Sequence, residues 1–473
     1  MNNSNINPNQ KTIHFSLLNS FFKSNDFCAH DLDFSDLHDQ LNLAKANDII
    51  IYHLHADGKS QELLINRINQ LKANPKLIIF SSTPQFSMTK EIPFLVVKEG
   101  EWQEFLKCLL DQVFPMPGQI KFVGITGTNG KTSTSYYLHH LLKEQGVPSM
   151  LIGTLGLFID GCKQEDFLLT SPGYFLLRKY LDKYRGMFQY CIFEMSSHAL
   201  DQDRFYQIKL DAAGWTSFTQ DHLDYHKTMN HYFVAKMKIF NSLATGAHVF
   251  FPMTQGDLVA RVQRKEAVLI NQVPWPLEVE GSHNLFSMEF MRDNLAVAVK
   301  ILDSLILKNK QVPIDWKNIP LVPGRMNYFL VNGAQVYIDF AHTPDALENA
   351  CKSLRFNYPT KKLKVLFGCG GNKDRTKRPL MGAAVSKWAD YIFLTSDNPR
   401  YEEPDHIIDD IIPGVSISFE RHPDREFLLT RVLKELTNQD VLLIAGKGHE
   451  NYIQVKDIKY PYSDEGVVRK LVE

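Results

Sequence analysis

The sequence predicts an α/β protein built on parallel sheets, and three observations support this fold class. Short apolar runs alternate with helix-forming stretches from one end of the chain to the other, as strands and helices do in parallel sheets. Many of these runs end in loops rich in Gly, Asp or Asn. One run, "IKFVGIT", leads into a glycine turn and then a helix-forming segment. Because ligands lie beyond the carboxyl ends of strands in such sheets, these loops are where function is expected.

Two clusters of Pro and Gly divide the 473 residues into three segments. The first cluster is "FPMPGQ" and the second is "NIPLVPGRMN". We therefore predict domains at residues 1–116, 117–325 and 326–473. In the last of these, four apolar runs read as strands that end in polar loops, "QVYIDF", "KLKVLFGCGG", "DYIFLTSDNP" and "DVLLIAGKGHE".

Composition narrows the function classes. The formal net charge is -1, and Lys and Arg are scattered, which argues against nucleic-acid binding. No apolar run approaches the roughly 20 residues of a membrane span. The amino-terminal stretch lacks the pattern of a signal peptide. The six cysteines stand far apart without a C-x-x-C pair, which favours reduced thiols. We expect a soluble cytoplasmic protein without membrane insertion.

The segment "TGTNGKTS", residues 126–133, nearly matches the phosphate-loop pattern G-x-x-x-x-G-K-[ST]. It misses by one position, because Ile125 stands where the first glycine belongs. In such a loop, backbone N–H groups surround a phosphate at a helix N-terminus. Lys131 would add positive charge and Thr132 a hydroxyl for Mg²⁺. The alternative is an ordinary glycine turn, but the strand before it and the helix after it favour a nucleotide site.

A second cluster of polar residues follows another strand. "YCIFEMSSHAL" brings Glu194 and His198 to a strand end, and a short span further on contains Asp221, His222 and Lys236. Each histidine alone is more readily explained as a structural residue. Together, in a nucleotide-binding segment, they favour metal and phosphate chemistry, although imidazole suits Mg²⁺ poorly.

These segments resemble the Mur ligases, the ATP-dependent amide-forming enzymes that build the peptidoglycan stem peptide. The resemblance covers roughly residues 120–455 in the family's order. It is carried by "TGTNGKTS", "FEMSSHALDQDR", "DHLDYHKTMNHYFVAKMKIF", "GRMN", "YIDFAHTPDALENA", "GCGGNKDRTKRPLMG", "SDNPRYEEP" and "AGKGHENY". It implies an N-terminal α/β domain that binds a uridine nucleotide, a central ATPase-like domain with a parallel or mixed sheet, and a C-terminal Rossmann-like domain that binds the amino acid.

The resemblance also implies roles for individual residues. Lys131, Glu194, His222 and Lys236 would be catalytic. ATP would be bound by Gly127, Thr128, Asn129, Gly130, Lys131, Thr132, Ser133, Asn294, Arg325, Asp339 and His342. Two Mg²⁺ ions would be held by Thr132, Glu194, His222 and a carbamylated Lys236. A UDP-muramoyl dipeptide would be bound by Thr170, Ser171, Ser196, Gln202 and Arg204.

The "DNPR" segment, residues 397–400, resembles the signature of the family members that add meso-diaminopimelate. Arg400 offers a planar fork for a carboxylate, and Glu450 can accept hydrogen bonds from an ammonium group. The diaminopimelate site would consist of Lys373, Asp397, Asn398, Pro399, Arg400, Gly446 and Glu450. The implied reaction joins meso-diaminopimelate to the D-Glu carboxylate of UDP-N-acetylmuramoyl-L-Ala-D-Glu in peptidoglycan precursor synthesis. ATP becomes ADP, an acyl phosphate is the intermediate, and we expect a monomer.

Several alternatives stay open at this stage. A related ligase could add L-lysine or act on another carboxylate acceptor. In this chain Lys373 stands where diaminopimelate-adding members usually have arginine, and the first 115 residues resemble the uridine domain only faintly, at "ADGKSQ". Arg400 could instead support a turn, with Glu402 and Glu403 in surface ion pairs. A plain ATPase or kinase, or a non-catalytic nucleotide-binding protein, would leave the third segment's motifs or the retained Lys131, Glu194 and Lys236 unexplained.

Overall fold

A computed structural model describes residues 11–14, 17–22, 32–39, 45–54, 58–72, 74–85, 88–98, 100–167, 169–271, 287–307 and 318–472. The chain forms two compact units. One is Met1–Gln119 with Pro172–Gly186, and the other is Ile120–Ser171 with Met187–Glu473. The α/β class with parallel and mixed sheets is confirmed. The division into three domains stays a prediction.

The strands and helices alternate along the chain as the sequence predicts. The strands are β1 Lys11–Ile13, β2 Leu32–Phe34, β3 Leu37–His38, β4 Ile49–Tyr52, β5 Leu77–Phe80, β6 Phe94–Val96, β7 Lys121–Thr126, β8 Ser149–Gly153, β9 Gly156–Ile159, β10 Cys162–Glu165, β11 Tyr190–Glu194, β12 Ala212–Trp215, β13 Val249–Pro252, β14 Ala267–Ile270, β15 Asn327–Val331, β16 Ala334–Asp339, β17 Lys362–Phe367, β18 Tyr391–Leu394, β19 Phe419–Arg421, β20 Asp440–Ala445, β21 Tyr452–Val455 and β22 Ile458–Pro461. The α-helices are α1 Gly58–Asn69, α2 Trp102–Val113, α3 Lys131–Glu144, α4 Tyr174–Lys183, α5 Ser197–Asp201, α6 Leu223–His226, α7 Met229–Met237, α8 Gly256–Val262, α9 Glu289–Leu302, α10 Pro344–Asn357, α11 Lys377–Ser386, α12 Pro404–Ile411, α13 Arg425–Lys434 and α14 Asp464–Val472.

The first unit contains a parallel sheet in the order β3-β4-β5-β6. Helix α4 belongs to this unit because the buried Arg178 ties it to the end of α2. The Arg178 guanidinium donates to Asp111 Oδ1 at 2.7 Å and to the Phe114 carbonyl oxygen at 2.8 Å. In the "ADGKSQ" segment, Ala56 and Asp57 lie outside the described residues, and the remaining four residues begin α1.

The second unit contains two sheets, and the first has the order β10-β9-β8-β11-β7-β12-β13-β14. Strand β7 lies in its middle, parallel to β11 and β12. Glu194 pairs in register with Ile125, and Trp215 pairs with Thr126. The carboxyl ends of these three strands therefore meet at one edge of the sheet, where the loop before α3 begins.

The second sheet of this unit has the order β15-β16-β20-β17-β18-β19, with β16, β20, β17, β18 and β19 parallel. Their carboxyl ends also lead into loops at one edge. Buried apolar side chains from both sheets and from helices α3, α9, α10 and α11 form one continuous cluster. This shared core fixes the loops of one sheet relative to those of the other.

The structure also bears on the cysteines and on membrane spans. Cys191, Cys351 and Cys369 are buried, whereas Cys108 and Cys162 are more accessible, and all five are free thiols. Cys28 lies outside the described residues. No helix in the described parts of the chain is long and apolar enough to cross a membrane.

The second sheet depends on a buried ion pair between the starts of α13 and α14. Arg425 donates to both carboxylate oxygens of Asp464 at 2.8 Å, and both side chains are fully buried. We expect Arg425→Met to lower the free energy of unfolding by about 3–5 kcal/mol, because it leaves a buried carboxylate without a counter-charge. Urea unfolding followed by circular dichroism measures this. Arg469→Met, which removes an exposed pair with Glu465, is the control and should cost at most about 1 kcal/mol. Equal effects would contradict the account.

Candidate active site

The glycine turn between β7 and α3 has the geometry of a phosphate loop. Gly127 and Gly130 have φ values of 149° and 86°, and Gly130 precedes the first turn of α3. A side chain on Gly130 would collide with Asn294, and one on Gly127 would collide with Thr216. The loop therefore requires glycine at both positions, for conformation and for space.

Lys131 folds back over this loop. Its Nζ donates to the carbonyl oxygens of Gly127 and Thr128, each at 2.9 Å. Desolvation lowers the pKa of Lys131, against the opposing charges of Glu194 and Asp221. A phosphate group bound in the loop would replace these two neutral carbonyl partners of Lys131 with a negative charge, and this would favour the charged form of the lysine.

Glu194, at the end of β11, faces the first turn of α3. Thr132 Oγ1 donates to its Oε2 at 2.9 Å, and the Thr154 N–H donates to its Oε1 at 2.8 Å. Arg325 Nη2 donates to Thr132 Oγ1 at 3.2 Å. A hydroxyl and a carboxylate oxygen side by side are hard ligands of the kind Mg²⁺ prefers, so this pair fits a magnesium ion.

His222 and Lys236 lie on the other side of the loop. Lys236 is almost fully buried, and its Nζ donates to the Gly127 carbonyl oxygen at 2.8 Å. Burial, reinforced by Lys131, lowers the pKa of Lys236 well below its ordinary value. Desolvation likewise lowers the pKa of His222, which leaves its imidazole neutral and able to bind a metal.

The described residues contain no group of three or more His, Cys, Asp or Glu side chains placed to hold a metal ion. An unmodified Lys236 offers no oxygen ligand, so His222 and Lys236 as they stand suit Mg²⁺ poorly. A carbamate on Lys236 would supply oxygen ligands.

Asp221 links the two sheets of the second unit. Lys377, at the start of α11, donates to Asp221 Oδ1 at 3.1 Å, and both side chains are buried. His222 and His342 approach the same carboxylate, with their Nε2 atoms 3.4 and 3.8 Å from Oδ2. Burial opposes ionisation, but Lys377 and the two imidazoles hold the pKa of Asp221 far below its ordinary value. Desolvation lowers the pKa of His342 to about 4.

A second link joins the phosphate loop to α10. Asn129 Nδ2 donates to Asp345 Oδ2 at 2.8 Å, and the Asn129 N–H donates to Ser217 Oγ at 2.9 Å. Beside this link lies a side cavity of about 250 Å³. Among the residues predicted to bind ATP, this side cavity is lined by Asn129, Gly130, Ser133, Asn294, Arg325 and Asp339.

The main cavity, of about 450 Å³, shares the loop residues Asn129 and Gly130 with the side cavity. It brings together side chains and backbone from all the predicted subsites. From the phosphate loop and metal set it is lined by Gly127, Thr128, Asn129, Gly130, Lys131, Thr132, His222, Lys236, Arg325 and His342. From the dipeptide set it is lined by Thr170, Ser171, Ser196 and Arg204. From the diaminopimelate set it is lined by Lys373, Asp397, Asn398, Arg400, Gly446 and Glu450.

Three predicted residues support this cavity without lining it. Glu194 lies behind Thr132. Gln202 accepts from Arg204 Nη2 at 2.7 Å and so orients that guanidinium. Pro399 lies between Asn398 and Arg400, and its carbonyl leaves no room for a side chain on Gly371.

Arg400 contacts the loop at Gly371, and Glu402 contacts helix α11. Arg400 has a φ of 52°, and its Nη1 donates to the Gly371 carbonyl oxygen at 2.9 Å. Glu402 accepts two hydrogen bonds at 3.0 Å from the guanidinium of Arg378, which is fully buried. These bonds lower the pKa of Glu402 to about 2. Glu402 also accepts from the exposed Arg375 Nη2 at 2.7 Å. Its carboxylate therefore takes part in a buried pair as well as a surface pair, and it anchors the loop that carries Arg400 against α11. The hydrogen bond from Arg400 to Gly371 is also what turn support by Arg400 would give, so the role of Arg400 in binding stays a prediction.

Sequence reasoning did not assign roles to several residues that the structure brings to the site. Asp221 belongs to the predicted cluster but had no assigned role, since Lys377 lies 156 positions away. Asp345 lies within "YIDFAHTPDALENA" but was given no role, and Thr154 lacked any local signal. Lys447 lies within "AGKGHENY", and its side chain is fully buried against Asn398 and Glu450.

Taken together, the phosphate loop, the desolvated lysines and the cavity between two strand-end edges define a nucleotide-dependent α/β enzyme. Two family profiles match the chain, the Mur ligase middle domain at residues 125–271 and the Mur ligase, glutamate ligase domain at residues 324–448. The chain belongs to the Mur ligase family, and the predicted enzyme class, a ligase, is confirmed.

Curated relatives and a solved structure agree with this family. The chain is 33% identical over 412 residues to the UDP-N-acetylmuramoyl-L-alanyl-D-glutamate–2,6-diaminopimelate ligase of Aquifex aeolicus (strain VF5), covering 81% of this chain and 84% of the relative. It is 35% identical over 382 residues to the ligase of the same name from Rickettsia typhi (strain ATCC VR-144 / Wilmington), covering 74% and 77%. A solved structure of a ligase with this name superposes with a TM-score of 0.58 at 24% identity, covering 98% of this chain and 99% of that one, and supports the fold.

The two ends of α3 provide a test of the phosphate loop. We expect Gly130→Ala to weaken ATP binding by about 10-fold or more, because the new Cβ would collide with Asn294 and the displaced loop would lose at least one charge-assisted hydrogen bond to phosphate. Calorimetric titration with ATP measures the affinity.

Gly146→Ala is the matched control at the other end of the helix. Gly146 also has a positive φ, at 68°, but no neighbouring atom lies within 4 Å of the place that a Cβ would take. This variant should lose about 1–2 kcal/mol of stability and keep its ATP affinity. Equal ATP affinities for the two variants would contradict the loop's role.

Proposed function

We propose that this protein joins meso-diaminopimelate to the D-Glu carboxylate of UDP-N-acetylmuramoyl-L-Ala-D-Glu, with conversion of ATP to ADP and phosphate, in peptidoglycan precursor synthesis. The observation that carries the proposal is the main cavity. It is lined by the phosphate loop, by Arg204 and three other residues of the predicted dipeptide site, and by Asp397, Asn398 and Arg400 of the "DNPR" segment. The names of the relatives from Aquifex and Rickettsia support the same substrates.

ATP would bind across the phosphate loop. The nucleoside would occupy the side cavity near Asn294 and Asp339, and the phosphates would extend past Lys131 into the main cavity. Lys131 would leave its two carbonyl partners for the phosphates. Arg325 lines both cavities and would contact the nucleotide where they meet.

Two magnesium ions would accompany ATP. Thr132 and Glu194 would hold one ion, and His222 with a carbamylated Lys236 would hold the other. Such ions supply positive charge that stabilises the transferring phosphoryl group. The chain's own contribution is to desolvate Lys236, which lowers the pKa of its amine and favours the neutral form, and to hold His222 beside Asp221.

The acceptor carboxylate would reach the cavity through the dipeptide subsite. Ser171 Oγ donates to the Glu194 carbonyl oxygen at 2.6 Å, and Arg204 Nη1 donates to the Ser171 carbonyl oxygen at 2.7 Å. These bonds fix the strand-end turn on which the carboxylate would lie. Arg204 carries positive charge toward the same space, which suits an anionic dipeptide.

The reaction would proceed in two displacements. The D-Glu carboxylate attacks the γ-phosphorus, ADP leaves, and an acyl phosphate forms while Lys131 stabilises the developing charge. The amine of diaminopimelate then attacks the acyl carbon, and phosphate leaves from the tetrahedral intermediate. Water would hydrolyse the acyl phosphate, so the enclosure provided by the loops of both sheets protects it. Most of the rate enhancement would come from positioning and electrostatics.

The far end of diaminopimelate carries a carboxylate and an ammonium group. Arg400 would bind the carboxylate, with Lys373 adding charge. Glu450 and Asn398 would bind the ammonium group. Gly446, with a φ of 105°, leaves room for close approach, since a Cβ there would lie 2.6 Å from Asp397 Oδ2.

The remaining parts of the proposal concern organisation. We propose three domains at residues 1–116, 117–325 and 326–473, with the first binding the uridine nucleotide, and a monomeric enzyme. Limited proteolysis should cut first near residue 116, where Pro115, Gly118 and Gln119 are exposed, and light scattering should give the monomer mass. Cleavage confined to other sites, or a dimer mass, would contradict these assignments.

The function is tested by product analysis. Purified protein is incubated with Mg-ATP and UDP-N-acetylmuramoyl-L-Ala-D-Glu, with meso-diaminopimelate or L-lysine in separate reactions, and the products are weighed by mass spectrometry. The proposal requires tripeptide formation with diaminopimelate and its loss in Lys131→Ala. Ligation of L-lysine alone, or ATP hydrolysis without product in either reaction, would instead indicate a different amino acid or a different acceptor.

Arg400 should determine the affinity for diaminopimelate. We expect Arg400→Ala to raise KM for diaminopimelate by about 10-fold or more, through loss of a charged hydrogen bond, with little change in KM for ATP. Arg421→Ala is the control, because Arg421 pairs with Asp405 and Asp409 on the exposed surface and does not line the main cavity. Steady-state kinetics measure both variants, and an unchanged KM in Arg400→Ala would remove the assigned role.

Carbamylation of Lys236 can be observed directly. The lowered pKa of Lys236 leads us to expect a carbamate signal in the ¹³C NMR spectrum of protein equilibrated with ¹³C-bicarbonate. The signal should be absent in Lys236→Arg and retained in Lys238→Arg, a neighbour that pairs with Asp201. A spectrum that is the same for all three proteins would contradict the modification.

A further inference from the structure

Lys447 is a buried lysine that lies behind the wall of the main cavity. It stands between Gly446 and Gly448, whose φ values are 105° and 52°, and its side chain is fully buried. A side chain on Gly448 would come within 2.7 Å of Phe340 Cβ. The two glycines let the chain turn sharply after β20, and this turn directs the lysine inward.

The Lys447 ammonium group holds two cavity-lining side chains. Its Nζ donates to Glu450 Oε2 at 2.9 Å and to Asn398 Oδ1 at 3.2 Å. Asn398 Oδ1 also accepts from the Gln454 N–H at 2.8 Å, and Asn398 Nδ2 donates to Glu450 Oε2 at 2.8 Å. The Asn398 amide is therefore oriented by both of its ends, and one oxygen of Glu450 is already engaged.

These contacts set the charge of the subsite. Glu450 is only partly exposed, and the Lys447 ammonium group is in direct contact with it. The formal charges of Lys447 and Glu450 offset each other, as do those of Lys373 and Asp397, which line the same cavity. The positive charge of Arg400 is therefore the net charge of the subsite. An amino acid whose far end carries a carboxylate and an ammonium group matches this arrangement, because its carboxylate can pair with Arg400. If the far end carries only an ammonium group, the positive charge of Arg400 repels it and no carboxylate offsets the repulsion.

We propose that Lys447 is a positioning and specificity-determining residue, which orients Asn398 and neutralises Glu450 so that the site selects an amino acid with a zwitterionic far end over one with a cationic far end. This inference rests on the proposed function. It concerns discrimination between amino acids, and the reaction itself does not depend on it.

The first test compares two amino acids. We expect Lys447→Met, which keeps the length of the side chain and removes its charge, to lower the ratio of kcat/KM for meso-diaminopimelate to kcat/KM for L-lysine by about 10-fold or more. KM for ATP should not change. Lys364→Met is the control, because Lys364 in β17 pairs at 2.9 Å with Asp440, the first residue of β20, and neither residue lines the main cavity.

A second background separates charge from packing. In Glu450→Gln, Lys447 has no counter-charge, so the ratio should rise, and adding Lys447→Met should return the ratio to near that of the unmodified protein. A merely structural lysine would leave the double variant at least as unselective as Lys447→Met alone, and that result would overturn the inference. If Lys447→Met does not fold, Glu450→Gln alone still decides, because it leaves Lys447 uncompensated and should reduce L-lysine use further. A rise in L-lysine use in that variant would contradict the proposal.

The outcomes distinguish this inference from the proposed function. Ligation of diaminopimelate by the unmodified protein supports the function whatever the variants do. If the unmodified protein ligates diaminopimelate and Lys447→Met retains its selectivity, the specificity role of Lys447 fails alone. If the unmodified protein ligates neither amino acid, the proposed function fails, and the inference fails with it.

Discussion

The buried ion pair between Lys377 and Asp221 is the interaction on which the site depends. Lys377 is the first residue of α11, a helix that packs against the second sheet of the second unit. Asp221 lies in the loop after β12 of the first sheet, next to His222. Neither charge can stay buried alone, since removing one partner of such a pair typically costs several kcal/mol. The pair therefore holds the strand-end loops of the two sheets in one arrangement. The main cavity, with residues of every predicted subsite around it, is the consequence of that arrangement.

Two desolvated lysines beside the phosphate loop are the second constraint. Lys131 and Lys236 lie against carbonyl oxygens of the phosphate loop, and both have lowered pKa values because of desolvation. A phosphate chain bound there would supply the negative charge that these lysines lack among their protein partners. Carbamylation of Lys236 would also add negative charge. Lys447 differs, because Glu450 compensates it within the protein. The phosphate loop therefore favours anions, whereas the positive and negative charges nearly offset each other where the amino acid would bind.

Much of the fold could be predicted because its signals are local. Strand β7, the loop and α3 follow one another in the sequence, and so do the strands that precede the "DNPR" and "AGKGHE" segments. The association of α4 with the first unit could not be predicted, because it depends on Arg178 reaching Asp111, 67 positions away. The contacts of Lys377 with Asp221 and of Lys447 with Asn398 were missed for the same reason, because they span 156 and 49 positions. The contact of Gly130 with Asn294 connects a loop and a helix that no local pattern relates.

The central claim is that the acceptor carboxylate and the γ-phosphate of ATP react with each other inside the main cavity. The most direct measurement uses UDP-N-acetylmuramoyl-L-Ala-D-Glu labelled with ¹⁸O in the reacting carboxylate. If an acyl phosphate forms there, one labelled oxygen passes to the inorganic phosphate released with each turnover, and mass spectrometry of the phosphate will show it. Unlabelled phosphate accompanying ligated product would contradict the account, because the carboxylate would then have been activated in another way.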